Sequence, residues 1–390
     1  MKLYIDAAYE SIHKNGQELC GDKVEIVRAG DEFFAVLADG LGSGVKANIL
    51  ATLTSKIIVT MMTQGATLEE VIETIANTLP VCRERGIAYS TFTILNVKPD
   101  GEIITAEFDN PYFLFFRGKE LQEIERTERV IEGKSVFVSQ ISSRPGDVLV
   151  TFSDGVVHAG VGRLLDLGWQ YENIVSYVVE IMQTETSPRM ITKRLLQAVN
   201  ALYMDKAGDD STVLAIKVSE SRPATVMVGP PVNPESDQAV VQRLLSSPGK
   251  KIVCGGTTSQ IVSRVSGRPL DVQIDYDNPA LPPTAKIPGV DLVTEGVLTL
   301  RKCLDLIKGQ NAHTGSEPQT INYHKKDGAT LLTKALLEDS TESVFLVGRA
   351  LNPAHQNPGM PISLGLKLGL IDDLAEELRL AGKKVTVEYY

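Results

Sequence analysis

The chain has 390 residues, 43% hydrophobic and 23% charged, which excludes a wholly disordered or fibrous protein. At roughly 100–200 residues per domain, two domains are expected. A net charge of −10 gives no global attraction to nucleic acid or anionic membrane, and no dense Lys/Arg run supplies a local one.

The opening Met1-Lys2-Leu3-Tyr4-Ile5-Asp6 meets an acid at once and does not read as a signal peptide. Apolar runs over 24–27 and 33–38 predict strands around a turn at Ala29-Gly30-Asp31. The glycine-rich turn Asp39-Gly40-Leu41-Gly42-Ser43-Gly44 leads into a helix over 45–62. Its apolar part, 49–62, is broken by Thr52, Thr54, Ser55 and Lys56 and reads as too short and too polar for a bilayer span. A second helix is expected from Thr67 as N-cap to about residue 79, with Glu69 and Glu70 in its first turn. Strands are predicted at 90–97, 103–108, 112–117, 135–140 and 148–153, then a helical block at 171–203 and a strand at 211–218. Hairpin-length spacing and grouped helices point to antiparallel sheets with helices outside them.

Prolines at 223, 230 and 231 surround a short apolar run at 224–228, and the boundary is placed near Ser221. The expected domains are residues 1–221 and 222–390. In the second, strands are predicted at 251–254, 270–274, 344–347 and 384–389. Helices are predicted at 259–265, 294–308, 329–337 and 371–381, with a polar loop at 310–319. That alternation favours an open α/β domain, so the chain is α/β overall. The echo of Phe108-Asp109-Asn110-Pro111 in Tyr276-Asp277-Asn278-Pro279 is too short to be a repeat. The cysteines Cys20, Cys82, Cys254 and Cys303 form no CxxC pair. They fit a reducing compartment, and a cytoplasmic location is expected.

Aspartates close several apolar runs beside a glycine or a second acid: Gly21-Asp22, Asp39-Gly40, Asp154-Gly155 and Gly208-Asp209-Asp210. Any one such pair is an ordinary turn. Carboxylates gathered from several strand ends are hard oxygen ligands suited to Mg²⁺ or Mn²⁺ rather than zinc or copper. Two such ions held ~3.5–4 Å apart clamp a phosphoryl group.

The stretches Glu18-Leu19-Cys20-Gly21-Asp22, 36–44, Phe152-Ser153-Asp154-Gly155-Val156 and Gly208-Asp209-Asp210-Ser211-Thr212-Val213 carry a resemblance, supported by Tyr89-Ser90-Thr91-Phe92-Thr93. Over about residues 1–218 the chain resembles the metal-dependent serine/threonine protein phosphatases (PPM, type 2C), in the bacterial SpoIIE/Rsb-type branch. The resemblance implies an αββα antiparallel-sheet sandwich. It also implies a site with two Mn²⁺ or Mg²⁺ ions, a third being an open option. By position, Asp39 would bridge both ions and the Gly40 carbonyl would bind one, with Asp22 holding that ion's water shell. Asp154 and Asp209 would bind the other ion, Asp210 would stand beside them, and Thr212 would orient nearby carboxylates. The implied activity is hydrolysis of phosphoserine or phosphothreonine on a regulatory protein, without a covalent intermediate. Eukaryotic relatives have an N-terminal arginine and an Asp-Gly-His turn. This chain has no arginine before Asp22 and reads Asp39-Gly40-Leu41. The phosphate clamp and general acid are therefore unassigned, with His13 and His158 the histidines nearest the motifs. In that branch the two helices after the Asp-Gly turn act as a regulatory switch. Their apolar spacing equally suits plain sheet packing.

Cys254-Gly255-Gly256-Thr257-Thr258-Ser259 follows a strand and opens a helix, an arrangement able to hold an anion but neither a GxGxxG nor a Walker sequence. Asp291 and Glu295 read as capping groups near a later helix. Arg349 and His355 follow a strand, where open α/β domains bind ligands. The second domain is thus read as a sensor or docking unit for a protein partner or a small ligand. A homodimer is kept open, and a nucleic acid or membrane partner is not expected. Two alternatives stand beside the phosphatase: a catalytically silent binding module of that fold, and a bifunctional chain whose second half takes a small phosphorylated ligand.

Overall fold

The computed structural model describes residues 2–78, 90–272, 284–311, 321–322, 325–350 and 364–390. His355, most of the 310–319 loop, Tyr89 and the 276–279 echo lie outside these. The chain divides into two compact units, Met1–Glu220 and Ser221–Tyr390.

The first unit is built from β1 (Leu3–Ile12), β2 (Asp22–Ala29), β3 (Glu32–Gly40), α1 (Gly44–Thr63), α2 (Leu68–Thr78), β4 (Ser90–Val97), β5 (Glu102–Phe108), β6 (Leu114–Arg117), β7 (Glu120–Gln122), β8 (Thr127–Ile131), β9 (Lys134–Ser142), β10 (Val148–Phe152), α3 (Asp154–Val157), α4 (Tyr171–Thr184), α5 (Pro188–Leu202) and β11 (Ser211–Glu220). Two antiparallel sheets run β1-β11-β10-β6-β7 and β2-β3-β4-β5-β9-β8. Strand alternation explains the layering. In β3, Phe33, Ala35 and Leu37 face the other sheet and meet Leu149, Leu214 and Ile216. Their neighbours Val36 and Ala38 face outward and pack on Ala51 and Ile58 of α1. On the opposite flank, Val148, Val150 and Phe152 of β10 pack against α4 and α5 through Ile174, Val178 and Leu195. Strands covered on both faces read as continuous apolar runs, and the result is the αββα sandwich.

The predicted capping of α2 takes the form of a capping box. The Thr67 amide donates to Glu70 Oε2 at 2.8 Å, and the Glu70 amide donates to Thr67 Oγ1 at 3.3 Å. The 171–203 block is two helices, because Pro188 opens a new first turn after Glu185 leaves helical geometry. One expectation is corrected. Helix α1 extends to 20 residues with a mean hydropathy of 1.3, enough in length and composition for a membrane span. Its Ala47, Ala51, Ile58 and Val59 are instead buried against the sheet.

The second unit comprises β12 (Pro223–Val228), a 3₁₀ turn (Pro234–Ser236), α6 (Asp237–Ser246), β13 (Lys250–Cys254), α7 (Gly256–Ser266), β14 (Asp271–Val272), β15 (Ala285–Lys286), β16 (Leu292–Thr294), α8 (Val297–Asn311), α9 (Gly328–Leu337), β17 (Glu342–Val347), α10 (Leu364–Leu380) and β18 (Lys384–Tyr389). Its sheet runs β14-β15-β16-β13-β12-β17-β18, with β16 through β18 parallel. Helices α6 and α7 cover one face, and α8, α9 and α10 the other. The apolar run 224–228, read as part of a boundary, is the middle one of the five parallel strands. Pro223 stands at its first position, where a missing N–H is tolerated, and Ala224 to Val228 are all buried.

Candidate metal centre

The site forms where β2, β3, β10 and β11 end at one edge of the sandwich. Asp22 opens β2 and Asp39 nearly closes β3, and the register sets them directly opposite. Facing residues of an antiparallel pair share a face, with Cβ atoms about 4.5–5.5 Å apart. Asp154 stands at the start of α3, one residue beyond the end of β10, and Asp209 and Asp210 immediately precede β11. The carboxyl of Asp39 lies within hydrogen-bonding reach of Asp154 and in the fields of Asp22 and Asp209. The predicted acids Asp22, Asp39, Asp154 and Asp209 are therefore brought together, with Asp39 at their centre.

Both Asp-Gly glycines exist for close approach rather than for a left-handed turn. A Cβ on Gly40 would lie 2.0 Å from the Ala47 carbonyl oxygen of α1, and one on Gly155 would lie 1.9 Å from the Asp210 carbonyl oxygen. These contacts press α1 and the β11 entry onto the site, so each glycine beside an aspartate fixes the neighbouring backbone.

The electrostatics are those of crowded anions. Burial, helped by the charges of Asp210 and Asp154, pushes Asp22 up to about 7 against the lowering influence of the polar Ser153 and Thr212 side chains. Asp39 is raised well above the usual carboxylate range, first by burial and then by the charges of Asp22 and Asp154. Burial also raises Asp209, and the ammonium of Lys14 opposes it. Asp22 Oδ1 and Asp210 Oδ2 are buried without any hydrogen-bond partner. Crowded carboxylates with orphaned oxygens fit a hard divalent cation, which would satisfy both the charge and the lone pairs. Among the described residues no group of three or more His, Cys, Asp or Glu side chains is placed to hold one metal ion by itself. Magnesium-like ions commonly take one or two carboxylates and keep several waters, so an open carboxylate set suits them.

Several supporting residues escaped the sequence reading. The Ser153 hydroxyl donates to Asp22 Oδ2 at 2.7 Å and accepts from the Thr212 amide at 2.9 Å, which fixes the Asp22 rotamer. Its place beside Asp154 in the motif was the available signal. Lys14 donates its amide to Asp210 Oδ1 at 3.0 Å and sets Nζ 3.6 Å from Asp209 Oδ1. Asn48 of α1 donates to the Cys20 carbonyl at 2.8 Å, and the Tyr203 hydroxyl donates to the Gly155 carbonyl at 2.8 Å. Nothing local marked these three. Thr212 donates its hydroxyl to Ser11 Oγ at 2.8 Å and supports Asp22 through its amide, which holds the Ser153 hydroxyl. Asp210 is 4% exposed and holds the Lys14 loop through one oxygen. His13 and His158 are exposed, and neither imidazole bonds to these carboxylates among the described residues.

A sequence model of the family described as Stage II sporulation protein E (SpoIIE) matches residues 29–219. No curated protein matches the chain. Among solved structures, the PP2C phosphatase domain with a regulatory-domain fragment of SpoIIE from Bacillus subtilis is similar at 20% identity and a TM-score of 0.48. That similarity covers 56% of this chain and 64% of the other, so this chain spans less than two thirds of it. The SpoIIE phosphatase domain from the same organism, in a crystal form without domain swapping, gives 19% identity and a TM-score of 0.45, covering 57% and 95%. A Mycobacterium tuberculosis protein with RsbU and RsbW domains gives 17% and 0.44, covering 62% and 67%. Through its match over residues 29–219, the first unit of this chain belongs to the SpoIIE family of PP2C-like domains.

Proposed function

We propose that the first unit is a divalent-metal-dependent phosphatase acting on phosphoserine or phosphothreonine of a regulatory protein. The observation that carries this is the convergence of Asp22, Asp154 and Asp209 on Asp39 at one sheet edge. Asp39, Asp22, Asp154 and Asp209, with the Gly40 carbonyl, would hold two Mn²⁺ or Mg²⁺ ions. Such ions supply, when bound, a more acidic water and charge neutralisation for a phosphoryl group. The chain's own residues do the positioning. Ser153 and Thr212 lock Asp22, while the glycines at 40 and 155 let α1 and β11 close on the carboxylates. Ser153 is not a nucleophile in this reading: it is fully buried and both its hydrogen bonds are used internally. Direct attack of water on phosphorus follows.

The test is phosphate release from a phosphoserine peptide by the full chain with Mn²⁺, with Mg²⁺ and with EDTA. Metal-dependent release that falls at least 100-fold in Asp39→Asn is expected. A folded, metal-loaded protein without release would instead identify a silent binding module. The second unit is proposed to dock or sense a partner, in a cytoplasmic setting.

A further inference from the structure

We propose that Asn110 is a positioning residue of the carboxylate site, clamping the two sheets of the first unit together at the edge where the acids gather. The inference rests on the metal-dependent reading of that site.

The four acids come from two sheets. Asp22 and Asp39 belong to β2 and β3 of the six-stranded sheet, while Asp154 and Asp209 stand next to the ends of β10 and β11 of the five-stranded one. A pair of ions shared by all four needs a fixed separation of the sheets at this edge. The apolar core brings packed sheets to about 10 Å, but its contacts are non-directional and leave small slides open. Directional hydrogen bonds between the sheets set the remaining distance.

Asn110 makes such bonds. It lies in the Phe108-Asp109-Asn110-Pro111 run, where the chain leaves β5 in one sheet for β6 in the other. Its Nδ2 donates to Thr93 Oγ1 of β4 at 2.7 Å and to the carbonyl of Phe152, the last residue of β10, at 3.3 Å. The two N–H groups of one amide are thus directed to different sheets. Both acceptors adjoin the acids. Thr93 pairs with Leu37, two residues before Asp39, and Phe152 is two residues before Asp154. Thr93 is fully buried, and Thr151 of β10 donates its hydroxyl to the same Oγ1 at 3.4 Å. The Ser153–Asp22 bond ties this edge through a carboxylate. Asn110 ties it through a hydroxyl and a backbone carbonyl, which makes it a support for the acids' spacing rather than a ligand.

The loop is built to hold the amide in place. Asp109 takes a left-handed φ of +52°, a conformation that costs energy and that aspartate tolerates better than most residues. Pro111 restricts the backbone on the other side of Asn110. Beyond it, the Tyr171 hydroxyl donates to the Tyr112 carbonyl at 3.1 Å. Glu107, 1% exposed, accepts the Phe113 amide at 2.7 Å and Arg126 Nε at 3.0 Å. Arg126 in turn donates Nη2 to the Phe113 carbonyl at 3.0 Å. A strained residue kept inside so many ties marks a position whose geometry is over-determined by its surroundings.

The experiment is Mn²⁺ binding to the full chain, followed by calorimetry and by electron paramagnetic resonance, which separates a spin-coupled ion pair from isolated ions. The wild-type chain should bind two ions and give the coupled signal. Asn110→Ala and Thr93→Val should each weaken the second ion about 10-fold or more, as loss of a group supporting metal ligands commonly does, and replace the coupled signal by that of isolated Mn²⁺. Thr93→Ser keeps the hydroxyl and should behave as wild type. Val97→Ala alters a buried residue at the far end of β4, opposite Phe33, and should lower the melting temperature while leaving the pair coupled. A coupled pair that survives both Asn110→Ala and Thr93→Val overturns the proposal alone, as does its loss in Val97→Ala. A wild-type chain that binds no ion pair overturns the metal-dependent reading and this inference with it.

Discussion

At the scale of single residues, Asp22 makes the sharpest prediction. Its carboxyl is 4% exposed and pushed up to about 7, mainly by burial. A carboxyl raised above its unfolded value contributes stability fully below the unfolded pKa near 3.8 and loses it as pH rises through the folded value. Metal-free protein should therefore lose stability between about pH 4 and 7, on the order of a few kcal/mol. Asp22→Asn should flatten that slope, and Mn²⁺ should restore wild-type stability at pH 8. Thermal melts in EDTA across pH 5–8 check this. An identical slope in wild type and variant would refute the assignment of the strain to Asp22.

At the scale of elements, helix α1 is the link between fold and site. Its Ala47 carbonyl abuts Gly40, and its Asn48 holds the carbonyl two residues before Asp22. A shift of α1 must therefore move the backbone that presents two of the carboxylates. Asn48→Ala removes one hydrogen bond, worth about 1 kcal/mol of stability. The expected result is a small fall in melting temperature with a severalfold weaker Mn²⁺ affinity by calorimetry. Unchanged affinity at lowered stability would reduce α1 to a packing helix. These contacts also explain what could be read in advance. The Asp-Gly pairs were legible because the acid and the glycine that admits a neighbouring backbone are adjacent in sequence. Lys14 and Asn48 were not, since their partners are 196 and 28 residues away. Strand β1 was missed for a related reason. It is an edge strand, buried fully only at Tyr4 and Ile5, and its polar residues blur the alternation, although it pairs along its whole length with β11.

At the scale of the whole molecule, the chain carries two independent solutions to burying a sheet. The first unit covers antiparallel strands with helices on its outer faces, and the second winds helices around a parallel sheet. Among the described residues every hydrophobic core cluster lies wholly on one side of residue 220. Strand β11 ends at Glu220 and β12 begins at Pro223, so the sheets are joined by a two-residue link. Units of roughly 50–250 residues with closed cores of their own are large enough to fold alone. Residues 1–220 and 221–390, expressed separately, should each unfold cooperatively. The first should keep the metal-dependent phosphatase activity proposed for the full chain. Far-UV and near-UV circular dichroism of the two fragments checks the folding. A first fragment that keeps secondary structure but loses its near-UV signal would show that the sandwich depends on the rest of the chain, and that the two cores are not energetically separate.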